Sequence, residues 1–255
     1  MGRQPVDCNA CYIPGAILRL NWQLRFGDTS GQKALYMEEV RLKDRKEHWE
    51  KVYGSKPLHA CSWYEAVPTA SLTWIRVSDL PLDAHIVDVG GGDSLLVDSL
   101  LDRGFANITV VDISRRALDR ARMRLGPRSD LVQWIESDIT RYEPDGYFDL
   151  WHDRAAFHFL TRGEDVNRYA DLAARAIRPE GRLIIGTFSP DGPKSCSELP
   201  VQSYSEESMY SVFSRDFALL AGRLVDHITP SGAVQSFQFC QFLRRTAWCH
   251  GEFNV

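Results

Sequence analysis

The sequence predicts an α/β fold, a doubly wound parallel sheet with helices on both faces, preceded by a helical segment and closed by an antiparallel hairpin. Three observations lead there. Apolar β-type runs near 85–89, 107–112, 131–136, 147–152 and 182–188 alternate with helix-patterned stretches near 94–104, 114–125 and 164–177, as parallel strands joined by crossover helices do. The first of these runs carries Asp88 and breaks into Gly90, Gly91 and Gly92 before an amphipathic segment begins, which reads as strand, tight turn, helix. At the other end, Phe217–Ile228 and Val234–Leu243 follow one another across Thr229-Pro-Ser-Gly232 with no helix between them, a hairpin signal.

Taken in order, residues 1–40 form an extension outside the α/β pattern. Ala16–Phe26 is apolar with basic punctuation and suits an amphipathic helix. Its lack of acids admits an organellar presequence, whereas Asp7 and Asp28 favour an extension that packs on the core or lies across the ligand cleft. Cys8 and Cys11 have the spacing of a metal knuckle, but no second close pair of Cys or His completes a four-ligand set, so no metal is predicted. Residues 41–255 read as one domain, with a helical lid over 41–80 and the α/β core over 81–255. The lid contains a charged helix at Glu38–Tyr53 and a second at Pro68–Asp79. Ser114 is the N-cap expected of the helix after the second strand. The turn-rich stretch Asp191–Pro200 follows the fifth strand, where a binding loop would sit.

Composition narrows the function. At 255 residues the chain can bury a substantial core, and its net charge of −4 gives no support to a nucleic-acid binder. No apolar stretch approaches the ~20 residues that span a bilayer. Six cysteines in a chain this long do not make a disulfide scaffold, which points to a reducing compartment, the cytoplasm. Cys240, inside a strand pattern, reads as core filling.

The glycine turn is the part that carries chemistry. A backbone without side chains lets a ligand approach closely, and the following helix start offers N–H groups. About twenty residues on, the strand Ile108–Asp112 ends in an acid, where a nucleotide-type ligand presents its ribose hydroxyls. A dinucleotide fingerprint would need a small residue where Leu95 stands. The pattern Asp88-x-Gly90-x-Gly92 instead resembles motif I of class I S-adenosylmethionine (SAM) dependent methyltransferases, with Ser94 where many members have a further glycine.

The resemblance continues along the chain. Ser137-Asp138-Ile139 resembles the motif that receives adenine, and Tyr147–Arg154 resembles the fourth strand and the loop after it, where methyl acceptors lie. Arg178-Pro-Glu-Gly181 with Arg182–Phe188 is similar to the family's turn and fifth strand. His48-Trp49-Glu50 and Ser62-Trp63-Tyr64 resemble the lid of thiopurine-type and some protein-lysine methyltransferases. The resemblance implies a Rossmann-like, seven-stranded sheet whose last strand inserts antiparallel. It implies SAM as cofactor, with S-adenosylhomocysteine as product. Asp88, Gly90, Gly91 and Gly92 would hold the amino acid end, Asp112 the ribose, and Ser137, Asp138 and Ile139 the adenine, sandwiched between Ile113 and Ile139. Trp63 would face the sulfonium.

For the acceptor, His152 and His158 are candidate proton acceptors by virtue of their ordinary pKa, with His152 also beside the cofactor. His158 equally suits a core histidine. Asp153 and Arg154 match the Asp-Arg or Asp-Lys pair of the same relatives, or form an internal ion pair that fixes the loop. No Asn-Pro-Pro-Tyr type motif is present, which argues against methylation of nucleic-acid bases. The expected acceptor is a small molecule. A protein lysine and a catalytically silent SAM-binding subunit are the alternatives, and a lysine enzyme would need a narrow channel open to a flat surface.

Overall fold

The computed structural model describes residues 30–246. The presequence and amphipathic-helix readings of Ala16–Phe26 and the Cys8/Cys11 pair fall outside them. Two compact units divide after Arg45, within the long helix α1, Ser30–Ser55. In the first, Arg41 and Glu38 pair one turn apart at 2.6 Å.

The second unit holds the sheet. Helix α2 (Thr69–Val77) precedes β1 (His85–Val89), and then follow α3 (Leu96–Asp102), β2 (Asn107–Asp112), α4 (Arg115–Leu125) and β3 (Val132–Glu136). After them come β4 (Phe148–Arg154), α5 (Gly163–Ala176), β5 (Ile177–Phe188), a two-stranded ribbon of β6 (Ser195–Cys196) and β7 (Leu199–Pro200), α6 (Glu206–Phe213), β8 (Phe217–Ile228) and β9 (Val234–Arg244). Seven strands run in the order β3-β2-β1-β4-β5-β9-β8. β1 to β5 are parallel, and β9 lies antiparallel between β5 and β8. This is the expected Rossmann-like architecture, hairpin included.

Side chains alternate across the strands, and the core forms two layers accordingly. Val87, Val89, Trp151, Leu183 and Ile185 pack on one face with Tyr169 of α5 and Phe213 of α6. Ile86, Leu150 and Ile184 pack on the other with Leu72 and Ile75 of α2 and Leu96 and Leu100 of α3. Ser114 caps α4, its side chain accepting from Ala117 N–H at 3.2 Å. Cys240 is fully buried in β9.

Two boundaries differ from the sequence reading. Helix α3 begins at Leu96, because Ser94 is still in the turn and its hydroxyl accepts from Leu96 N–H at 3.2 Å. The Arg178–Gly181 turn lies inside β5, with Glu180 at φ +66° and a register shift against β4 between Phe148 and Leu150. Among the described residues, no helix is long and apolar enough to cross a membrane, and no group of metal-ligating side chains occurs.

Candidate active site at the carboxyl ends of β1, β2 and β4

The carboxyl edge of the parallel strands gathers most of the residues singled out from the sequence. Gly90 turns the chain out of β1 at φ +65°, and a Cβ on it would lie 2.4 Å from that of Ala156. Gly92, at φ +47°, presses its backbone against the Tyr53 hydroxyl and the Asp112 carboxylate; a Cβ there would sit 2.6 and 3.0 Å from them. A Cβ on Gly91 would meet Asp88 Oδ2 at 2.6 Å. The bend is therefore bare backbone set among carboxylates.

Three of these acids are buried: Asp88, Asp93 and Asp112. Burial, chiefly, pushes Asp112 up to about 7; the Ser114 N–H at 2.8 Å pulls it down, while Asp93, Asp88 and Glu50 push it further up. Asp93 is raised by burial as well, against the pull of Arg120, which pairs with it at 2.8 Å. Arg120 also donates to the carbonyls of Tyr53 and Lys56 at 3.0 and 2.9 Å. It thereby caps the last turn of α1, where unpaired carbonyls favour a cation, and ties the lid to the acidic bend. The Tyr53 hydroxyl is pushed well above its ordinary value by burial and by Asp112 and Asp93.

Strand register explains the next pair. Asp88 and His152 are direct neighbours across β1 and β4, and His152 Nδ1 lies 2.7 Å from Asp88 Oδ1. The other ring nitrogen meets the Ser71 hydroxyl of α2 at 2.8 Å. With both nitrogens engaged, His152 fixes Asp88 and is not placed to receive a proton from an acceptor.

Asp153 and Arg154 do not form the internal ion pair considered above, because successive strand residues point to opposite faces. Asp153 faces α5: its carboxylate accepts from Ala156 and Phe157 N–H at 2.9 and 3.1 Å and from the Tyr169 hydroxyl at 2.7 Å. Burial raises it to about 6 despite these bonds. Arg154 faces the lid. It donates to the Trp63 carbonyl at 3.1 Å, lies 3.4 Å from Glu65, and stacks 5.3 Å above the Phe237 ring. Glu65 in turn meets His227 Nδ1 at 3.1 Å, and His227 Nε2 donates to the Ser62 carbonyl at 2.6 Å. Burial would raise Glu65, but His227 and Arg154 outweigh it and hold it below its ordinary value.

His158 is wholly enclosed, its ring 4.5 and 4.7 Å from those of Phe159 and Phe188. Burial, reinforced by Arg154, lowers its pKa to about 3. The core-histidine reading fits this position, and a proton-accepting role at neutral pH does not.

After β3, Asp138 caps a short 3-10 turn, its Oδ1 accepting from Thr140 N–H at 2.9 Å. The Ser137 N–H donates to the Asp112 carbonyl at 2.9 Å, tying this turn to the end of β2. Ile113 and Ile139 are half-buried there. Above the bend the lid presents rings: Trp63 lies 6.1 Å from Trp49 and 5.8 Å from Tyr53, and Trp49 packs edge-on to Phe159 at 5.0 Å. Tyr53, Ser71, Glu65, Asp93, Arg120 and His227 were not read from the sequence.

The carboxylates at this edge suit SAM on their own chemistry. The cofactor carries a sulfonium and an ammonium cation, two ribose hydroxyls and an adenine amino group, all of which carboxylates attract. The bare bend gives room for close approach.

Residues 87–185 match the family described as methyltransferase domain. The chain is similar to the eEF1A lysine and N-terminal methyltransferase of Mus musculus, 23% identical over 76% of this chain and 30% of that protein. It therefore spans about a third of that relative. Over 69% of its length it is 22% identical to EEF1A lysine methyltransferase 2 of Homo sapiens, covering 75% of it. With trans-aconitate 2-methyltransferase of Streptomyces coelicolor the identity is 29% over 62% of this chain and 54% of the other. Among solved structures, the fold is shared with one concerned with conversion of a disulfide bond into a thioacetal group during echinomycin biosynthesis (TM-score 0.64, 20% identity, 78% of this chain and 93% of that one). It is shared too with N-methyltransferase NodS from Bradyrhizobium japonicum in complex with S-adenosylhomocysteine (TM-score 0.56, 15% identity, 71% and 90%). Residues 87–185 thus resemble a methyltransferase domain, and the fold around them is the one seen in N-methyltransferase NodS.

Proposed function

We propose that this enzyme transfers the methyl group of SAM to a nucleophile on a small molecule, with the cofactor lying across the glycine bend. The observation that carries the reading is the group of three buried carboxylates, Asp88, Asp93 and Asp112, around backbone that has no side chain to spare. Asp112 would accept from both ribose hydroxyls, and Asp88, held by His152, would orient Gly90–Gly92 against the amino acid end. Ser137 and Asp138 would meet adenine between Ile113 and Ile139. Trp63 would lie against the sulfonium, a cation–π contact of ~1–2 kcal/mol when dry. When bound, SAM supplies the methyl group and the leaving group; alignment and exclusion of water fall to the protein.

Enclosure of the acceptor end favours a small molecule. His158 and Ser189 are buried, and the Glu65–Arg154–His227 cluster holds the lid segment through the Ser62 and Trp63 carbonyls. A protein lysine is the second reading, favoured by the rings of Trp49, Trp63 and Phe159 and by the lysine-methylating relatives. The free thiols of Cys61, Cys196 and Cys240 support work in a reducing compartment such as the cytoplasm.

Titration calorimetry with SAM tests the assignment. Wild-type protein should bind in the micromolar range, and Asp112→Ala should weaken binding at least ~30-fold, the loss of two hydrogen bonds to a charged group. Equal affinity in the variant would remove the ribose assignment.

A further inference from the structure

Three buried donors at the acceptor end make no hydrogen bond. The Phe188 N–H points at His158 Nδ1 at 3.4 Å, so that nitrogen carries the lone pair and Nε2 carries the proton. This Nε2–H is buried without a hydrogen-bond partner, as are the Ser189 hydroxyl and Arg154 Nη2, which has the Glu65 carboxylate beside it at 3.4 Å but no hydrogen bond to it. Unpaired buried polar groups are costly and rare, at ~1–3 kcal/mol each. They also lie close together. Phe188 and Phe237 pack at 4.9 Å as a two-ring floor. His158 sits on the first ring and Arg154 on the second. Ser189 follows Phe188 directly, its N–H held by the Ser236 carbonyl at 2.9 Å.

The same neighbourhood is short of bases. Both nitrogens of His152 and both of His227 are engaged, and both oxygens of Asp153 accept from the other side of the sheet. Glu65 Oε2 accepts no hydrogen bond, but its carboxylate is held below its ordinary pKa and is a weak base. An acceptor that must shed a proton during transfer finds no partner here. One that arrives as an anion needs none, and donors are what it requires.

We propose, building on the methyltransferase reading above, that the acceptor is a small carboxylate, gripped by Arg154 Nη2, His158 Nε2–H and the Ser189 hydroxyl. The planar fork of a guanidinium matches the two oxygens of a carboxylate; a thiolate offers a single, poorly accepting atom, and an ammonium would be repelled. In the transfer, one carboxylate oxygen forms the new O–CH3 bond as the S–CH3 bond breaks. The bonding pair stays on sulfur, and the charges of sulfonium and carboxylate cancel. No proton moves, and the product is a methyl ester.

The test uses the full chain with methyl-tritiated SAM and a panel of benzoate, hexanoate, succinate and glutarate, set against hexylamine, benzylamine and their thiol counterparts. Label should enter carboxylates and be released as methanol by mild base. Ser189→Ala should raise the KM for the best carboxylate three- to tenfold, and Arg154→Lys, which keeps the charge but loses the fork, at least tenfold. SAM affinity should not move in Ser189→Ala, and its melting temperature should not fall. Donors that merely hold solvent would leave the KM of Ser189→Ala unchanged, and that result overturns the proposal. So does label confined to amines or thiols, or a SAM-binding chain that labels none of the carboxylates. A chain that fails to bind SAM in the same preparation fails the underlying reading instead.

Discussion

The buried Asp112 carboxylate costs the fold stability, and replacing it by Asn exposes that cost. The carboxyl group is 6% exposed and raised from 3.8 to about 7, chiefly by burial. That difference corresponds to ~4 kcal/mol, at 1.36 kcal/mol per pKa unit. The sign follows from linkage. Below about pH 4 the group is protonated in both folded and unfolded chains and costs nothing. Between pH 4 and 7 the unfolded chain releases its proton while the folded one retains it, so stability falls as pH rises, and above 7 the loss is complete. Asn keeps the oxygen that accepts from Ser114 N–H and never charges. Asp112→Asn should therefore be more stable than wild type at pH 8 by ~2–4 kcal/mol, the lower figure allowing for relaxation around the site. For a chain of this size that is a rise of roughly 5–12 °C in melting temperature. The gap should shrink to about a quarter of that by pH 4.5. Thermal unfolding by circular dichroism across pH 4.5–8.5, with no SAM present, measures it. Equal pH dependence in the two proteins would refute the account of Asp112 as a desolvated acid.

Two further predictions concern the scaffold. Tyr169→Phe removes the hydroxyl that donates to Asp153 at 2.7 Å and accepts from Trp151 Nε1–H at 2.8 Å. Two buried groups are left unpaired, and urea denaturation should show a loss of ~2–4 kcal/mol. Gly90→Ala forces φ +65° on a residue with a Cβ and drives it into Ala156. A loss of at least ~2 kcal/mol is expected, and adding Ala156→Gly should recover part of it, since the clash is relieved but the backbone strain is not. A double mutant no more stable than Gly90→Ala would exclude the contact.

The sheet was legible because each strand announces itself locally: alternation or an apolar run, then a turn residue. The carboxyl edge was legible for the same reason, since Asp88, Gly90–Gly92 and Asp112 lie on neighbouring strand ends whose adjacency follows from the fold. What escaped depends on contacts distant in sequence. Ser71 meets His152 across 81 residues and Glu65 meets His227 across 162, and no local pattern records either. Face orientation was the other gap. Asp153 and Arg154 read as a pair because they are adjacent, yet the pleat sends one to α5 and the other to the lid. Likewise, His152 looked reactive as an isolated imidazole, and its two partners became visible only when register and helix packing were known.

The position of β9 sets an order of assembly. Strands β1 to β4 and the acid-lined bend lie before residue 155, whereas β9 begins only at Val234. The ring beneath Arg154 comes from Phe237, and Phe239 fills the space above Gly186, where a Cβ would lie 2.6 Å from its ring. A nascent chain halted before Val234 thus owns the residues we assign to SAM but not the floor on which an acceptor would rest. Competence to bind the methyl donor precedes competence to use it, and the final hairpin is the step that joins the two.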